Sequence, residues 1–291
     1  MGSPIIISRL ANLLFSAQRG GYPSLDERDL QSFFSRENID ITFYGKSERD
    51  IWKRIAESVG ESEIKHLRKS IASLKNESSQ HWLETSRHLL VWKHYFQNNR
   101  ILLQRAIREI EKLCGISYFS TAHIPIYLIS DSTTKYKEIN AWYSWTSNDI
   151  FIVIEIPFTL KKPGGLFPLS VLTHECFHLA LKRNRTLART LEMVAAQNSA
   201  LFKASLKEDM PPRMFLEELL LSSFVPEGFL SEQYFNIAIK RFSRKPKDLL
   251  DWRRCVAFKI KEVAEQYIHN SQQIDKRYLN CIVDIIKQNS K

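Results

Sequence analysis

A chain of 291 residues, 44% of them hydrophobic, has enough apolar side chain to bury one large domain or two modest ones. Nine glycines and ten prolines argue against a loop-rich or all-β fold, and no repeat or long low-complexity stretch points to disorder. The formal charge of +10 favours anionic surfaces, but the basic residues are spread out, with no arginine-rich tail, zinc-finger spacing or RNA-recognition signature. That pattern reads first as a solvated basic surface and leaves nucleic-acid binding a minor alternative.

In chain order, residues 5–18 read as a short helix, followed by a Gly20-Gly21-Tyr22-Pro23 break, a second helix at 25–35 and a short strand at 39–44. Residues 47–75 carry Ile51, Ile55, Ile64, Leu67 and Ile71 near helical spacing. One long amphipathic helix is expected over 79–113, with Gly115 as its C-terminal cap. The pattern then changes to three strands, at 123–130, 140–145 and 149–156, with Ser147-Asn148 as turn chemistry between the last two. A loop at 161–165 precedes a helix over 167–182, where Pro168 suits a first turn. Helices follow at 186–205, 211–224, 228–242, 247–268 and 272–288, divided by Pro211-Pro212, Pro226-Glu227-Gly228 and Lys245-Pro246. The expected class is α+β and mainly helical. A helical N-terminal region over residues 1–115 precedes a core over 116–291, which has a small three-stranded sheet, the helix over 167–182 and the later helices.

Cys114, Cys176, Cys255 and Cys281 form no close pair, so neither a cysteine zinc site nor a redox motif is signalled. Reduced, mostly buried thiols fit a reducing compartment and a cytoplasmic location. No run reaches transmembrane length. The apolar stretch from Ile5 to Phe15 is interrupted by Arg9 and Asn12 and lacks a basic leader.

The chemistry lies in His174-Glu175-Cys176-Phe177-His178. On a helix, residues four apart share a face, so the two imidazoles can address one metal ion. Glu175, beside the first ligand, is placed to act as general base on a water that the metal activates, and to return the proton to a leaving nitrogen. The chain has only eight histidines, and this pair sits on a helix that follows a strand. Val171, Leu172, Phe177, Leu179 and Leu181 mark that helix as one packed in a core.

On these residues the chain resembles the zincin superfamily of metallopeptidases over roughly residues 120–240. The resemblance implies a zinc ion (Zn2+) as cofactor and a peptide or protein substrate. It also implies that the strand over 149–156, or the one beside it, pairs with extended substrate by strand addition. The metzincin branch would place glycine and histidine where this chain has Leu181 and Asn184, so the gluzincin branch is the closer likeness. That branch takes its third ligand from a later glutamate. Glu218 is the first candidate, because Ser222 four residues on resembles the small orienting residue of the gluzincin pattern. Glu217 and Glu227 remain open as alternatives. Tyr234 is a candidate for stabilising an oxyanion. Trp142, Tyr143 and Trp145 are candidates for a cleft or, more simply, for packing. His81, His88 and His94 lack metal spacing. The leading expectation is a zinc metallopeptidase with His174, His178 and Glu218 as ligands and Glu175 as base. The alternative is a protein that keeps the same scaffold for binding or regulation without peptidase activity.

Overall fold

Helix-forming sequence dominates, and the few β-branched and aromatic runs collect into one sheet. The structure is a computed structural model that describes residues 4–18, 47–58, 60–77, 79–116, 124–130, 138–145, 150–206 and 209–290. Among these, the elements in order are β1 (Ile5–Ile6), α1 (Arg9–Gln18), α2 (Glu48–Ser58), α3 (Glu61–Glu77), α4 (Ser79–Asn98), α5 (Arg100–Leu113), β2 (Ile126–Ile129), β3 (Asn140–Trp145) and β4 (Ile150–Glu155). They continue as α6 (Phe167–Arg183), α7 (Arg185–Gln197), α8 (Ser199–Ser205), α9 (Pro212–Ser222), α10 (Phe229–Phe235), α11 (Leu249–Lys259), α12 (Lys261–His269) and α13 (Lys276–Ser290). The protein is thus mainly helical with a small mixed sheet. The helix expected at 25–35 and the strand expected at 39–44 lie outside the described residues. No described helix is long and apolar enough to cross a membrane.

Several expected elements are divided or shortened in the structure, mostly at polar residues with poor helix propensity. The helix expected over 79–113 is two helices that meet at Asn98 and Asn99, and the one over 186–205 breaks at Asn198. The helix expected over 228–242 stops at Phe235, because Asn236 takes the left-handed conformation at φ 54°, a standard way for asparagine to end a helix. The helix expected over 247–268 divides at Ile260, whose φ and ψ of −96° and 0° leave the helical region. Gly115 has φ +60° and follows the last turn of α5, so here the capping expectation and the structure agree.

The first residues of the predicted helix over 5–18 are a strand instead. Ile5 and Ile6 pair in parallel with Ile126 and Tyr127, which adds a fourth strand to the three expected. The sheet order is β1-β2-β4-β3, with β2 parallel to β4 and β3 antiparallel to it. Two neighbours therefore occupy both edges of β4, and that strand has no free edge for a substrate. Among the described residues the edges of the sheet are β1 and β3.

By its internal contacts the chain divides into two units, residues 1–98 with 121–164, and residues 99–120 with 165–291. They interleave along the sequence. The first unit holds the sheet. Alternation along β2 and β4 sends Tyr127, Ile129, Phe151 and Val153 into one cluster with Leu10, Leu13 and Leu14 of α1, Ile51 and Ile55 of α2 and Leu67 and Ile71 of α3. Trp142 of β3 stacks on Phe15 with ring centroids 5.8 Å apart, so this tryptophan packs against the core. His88 and His81 of α4 pack against Phe158.

The second unit is built around α6. Pro168 sits in its first turn and Lys182 and Arg183 in its last, where they favour the helix dipole. Nearly every residue from Pro168 to Leu181 is buried, as expected of a helix apolar around most of its circumference. Asn184 ends α6 and caps α7, accepting from the Leu187 amide at 2.9 Å. Around α6 lie α5, α7, α9 and α10, and α11 packs on α9. All four cysteines are free thiols.

Candidate metal centre

The spacing of four puts His174 and His178 on one face of α6, and tertiary contacts then fix each ring. Nδ1 of His174 lies 3.0 Å from the carbonyl oxygen of Val225. A carbonyl only accepts, so Nδ1 donates and Nε2 is the nitrogen left to face inward. Nδ1 of His178 lies 2.8 Å from Oε1 of Glu217 and donates to that carboxylate. The two rings stand nearly perpendicular, at 86°, with their Nε2 atoms 3.2 Å apart.

Glu218, on α9, closes the group. Its Oε2 is 3.4 Å from Nε2 of His174 and its Oε1 is 3.1 Å from Nε2 of His178. The edge of a tetrahedron is about 1.6 times its centre-to-corner distance, so donors at roughly 2.0–2.1 Å from a zinc ion stand about 3.3–3.4 Å apart. The two Nε2 atoms, 3.2 Å apart, stand close to that spacing, and the carboxylate meets them through different oxygens, Oε1 at 3.1 Å and Oε2 at 3.4 Å; one ligand atom from each residue lies within 4.8 Å of the others. Two imidazoles and a carboxylate suit a divalent transition ion and leave a fourth position for water or substrate. Among the described residues, His174, His178 and Glu218 form the group that could hold a metal ion.

The three glutamates weighed as third ligand meet different partners. Glu217 and Glu218 are adjacent on α9 and point about 100° apart around the helix. Glu217 gives one oxygen to His178 and the other to Arg213, at 3.2 Å. Glu227 pairs with Arg253 of α11, at 3.1 Å. Ser222 is not bound to Glu218 as the sequence pattern suggested. Its hydroxyl accepts from Nε of Arg253 at 2.7 Å, and Nη1 of that arginine lies 3.7 Å from Oε2 of Glu218. Tyr234 directs its hydroxyl at Glu109, 3.5 Å away.

Burial and charge set the proton affinities. Burial pushes the Glu175 carboxyl up from its ordinary range, and the neighbouring imidazoles only partly oppose this. For Glu218 burial acts upward too, but hydrogen bonds from both imidazoles win and hold it well below the usual carboxylate range. Burial lowers His178, yet its bonds to Glu217 and Glu218 outweigh that and raise it to about 10. Without a metal ion, a proton on His178 therefore sits among the same donors.

Two contributors carry no sequence signal. One is the Val225 carbonyl, a backbone atom in the loop over residues 223–228. The other is Arg253, which lies 35 positions beyond Glu218 and outside any motif. The loop is tightly folded. The Ser223 carbonyl accepts from the Phe229 amide and the Phe224 carbonyl from the Ser231 amide. A Cβ on Gly228 would overlap the Ser223 carbonyl. Comparison of the chain with protein-family models, with curated proteins and with solved structures gives no match.

Proposed function

We propose that this chain is a zinc-dependent metallopeptidase of the zincin type, in which His174, His178 and Glu218 hold the ion and Glu175 is the general base. The observation that carries this reading is the convergence of two Nε2 atoms and one carboxylate at 3.1–3.4 Å, with both outward Nδ1 atoms already donating to fixed acceptors. Such outward hydrogen bonds orient a ligand histidine and raise its basicity. Zinc, when bound, supplies Lewis acidity and lowers the pKa of water toward neutrality.

The residues of the chain supply the rest. Glu175 is buried on the same helix as both histidines, and its raised proton affinity suits a group that must take a proton and give it back near neutral pH. It would accept the proton of the attacking water and pass it to the amine that leaves. Glu217 and the Val225 carbonyl keep the two rings from turning. Peptide bonds are the expected substrate by resemblance to zincins, whose His-Glu-x-x-His motif this chain carries at 174–178.

Purified protein should hold about one zinc ion per chain. Glu175→Gln should keep the metal and lose chelator-sensitive peptide hydrolysis. A variant that hydrolyses peptides at the wild-type rate would remove Glu175 from the mechanism. Wild-type protein that takes up no zinc would remove the whole reading.

A further inference from the structure

Arg253 stands between two carboxylates of unequal fate. Its Nη2 pairs with Glu227 at 3.1 Å and its Nε donates to the buried Ser222 hydroxyl at 2.7 Å, while Nη1 is 3.7 Å from Glu218. The close contacts therefore hold Glu227, and the looser one lets Glu218 turn to the imidazoles. All three acceptors are largely buried, with the side chains of Glu218 and Glu227 12% and 15% exposed. A carboxylate so far from water needs a counter-charge. Glu227 takes the guanidinium, and Glu218 takes the imidazoles or the metal. Glu227 is also two residues from Val225, whose carbonyl holds His174, so its loop is anchored beside the site.

We propose that Arg253 decides which glutamate the metal meets: it sequesters Glu227 and so keeps the fourth coordination position open. This rests on the metal site proposed above. Three protein donors leave room for water or substrate, whereas a fourth carboxylate would fill that room. The rigid guanidinium fork suits the task, since it can engage Ser222 and Glu227 at once in a fixed plane. Lysine offers its three donors from a single point and lacks that fixed plane. Arg253 is a positioning residue in this account, acting through Glu227 rather than on the substrate.

The test uses the full chain loaded with cobalt(II) in place of zinc, because the visible bands of cobalt are intense in a four-coordinate site and weaken as coordination rises. Wild type should show the intense spectrum. Arg253→Leu should still take up the ion, but with weakened bands and at least a tenfold lower kcat. Adding Glu227→Gln to Arg253→Leu should restore both. A merely structural role for Arg253 predicts no such rescue. Glu227→Gln alone should leave the wild-type spectrum unchanged, and this holds as a separate test even if Arg253→Leu does not fold. The proposal is overturned if the Arg253→Leu spectrum matches wild type, if the second substitution fails to restore it, or if Glu227→Gln alone alters it. Failure of wild type to bind cobalt or zinc would instead overturn the metal site itself.

Discussion

The bond from His178 to Glu217 gives the most direct test of how the centre is held. Glu217→Ala removes the acceptor 2.8 Å from Nδ1 and leaves a buried ring free to turn. Losing such a partner typically lowers metal affinity about 10–100-fold, which is about 1.4–2.8 kcal/mol at roughly 1.4 kcal/mol per decade. Arg213 loses one partner but keeps Glu192, at 3.0 Å, and both of those side chains reach water, so that pair adds little. A second effect has the opposite sign. With Glu218, the carboxylate also raises the proton affinity of His178, to about 10, and a bound proton competes with the metal. Removing Glu217 relieves part of that competition. The loss should therefore be near the low end, about tenfold, at pH 7, and should widen toward pH 9 as protons compete less. Glu217→Gln keeps an oxygen acceptor but not the charge, and charge-assisted bonds are roughly twice as strong as neutral ones, so its effect should lie between wild type and alanine. Zinc affinity is read by competition with a chromophoric chelator across pH 7–9, and melting of the metal-free proteins checks that each variant is folded. Affinities for Glu217→Ala within twofold of wild type at every pH would refute the orienting role.

Two further outcomes follow from the same geometry. His178, raised to about 10, is protonated in the metal-free protein at pH 8, so zinc binding there should release at least one proton. Calorimetry in buffers of different ionisation enthalpy measures this, and a release of zero would contradict the hydrogen bonds assigned to His178. Gly228→Ala should lower stability by about 1–3 kcal/mol, as overpacking generally does, because the added methyl meets the Ser223 backbone. It should also weaken metal binding, since the same loop carries the Val225 carbonyl and Glu227. Wild-type melting with wild-type metal affinity would show that the loop absorbs the methyl freely.

Local chemistry made part of this protein legible in its sequence. The four-residue spacing of His174 and His178 places them on one face wherever α6 forms, and Pro168 and the apolar flanks place that helix in a core. The alternating and apolar runs at 126–129, 140–145 and 150–155 read as strands for the same local reason. What depended on residues distant in sequence could not be read this way. Ile5 and Ile6 join the sheet because β2 offers them an edge 121 positions later, not through any signal of their own. Asn98, Asn99, Asn198 and Asn236 end helices whose apolar periodicity runs on past them, because backbone geometry outweighs that pattern. The three glutamates were chemically alike as candidates. Only the packing of α9 against α6 and α11 gave Glu218 the imidazoles, Glu217 the back of His178 and Glu227 the guanidinium of Arg253. Helical spacing is a property of one segment, whereas a buried carboxylate or imidazole finds its partner among segments that meet only when the chain has folded, and one such partner, the Val225 carbonyl that accepts from His174, is an atom that every residue carries.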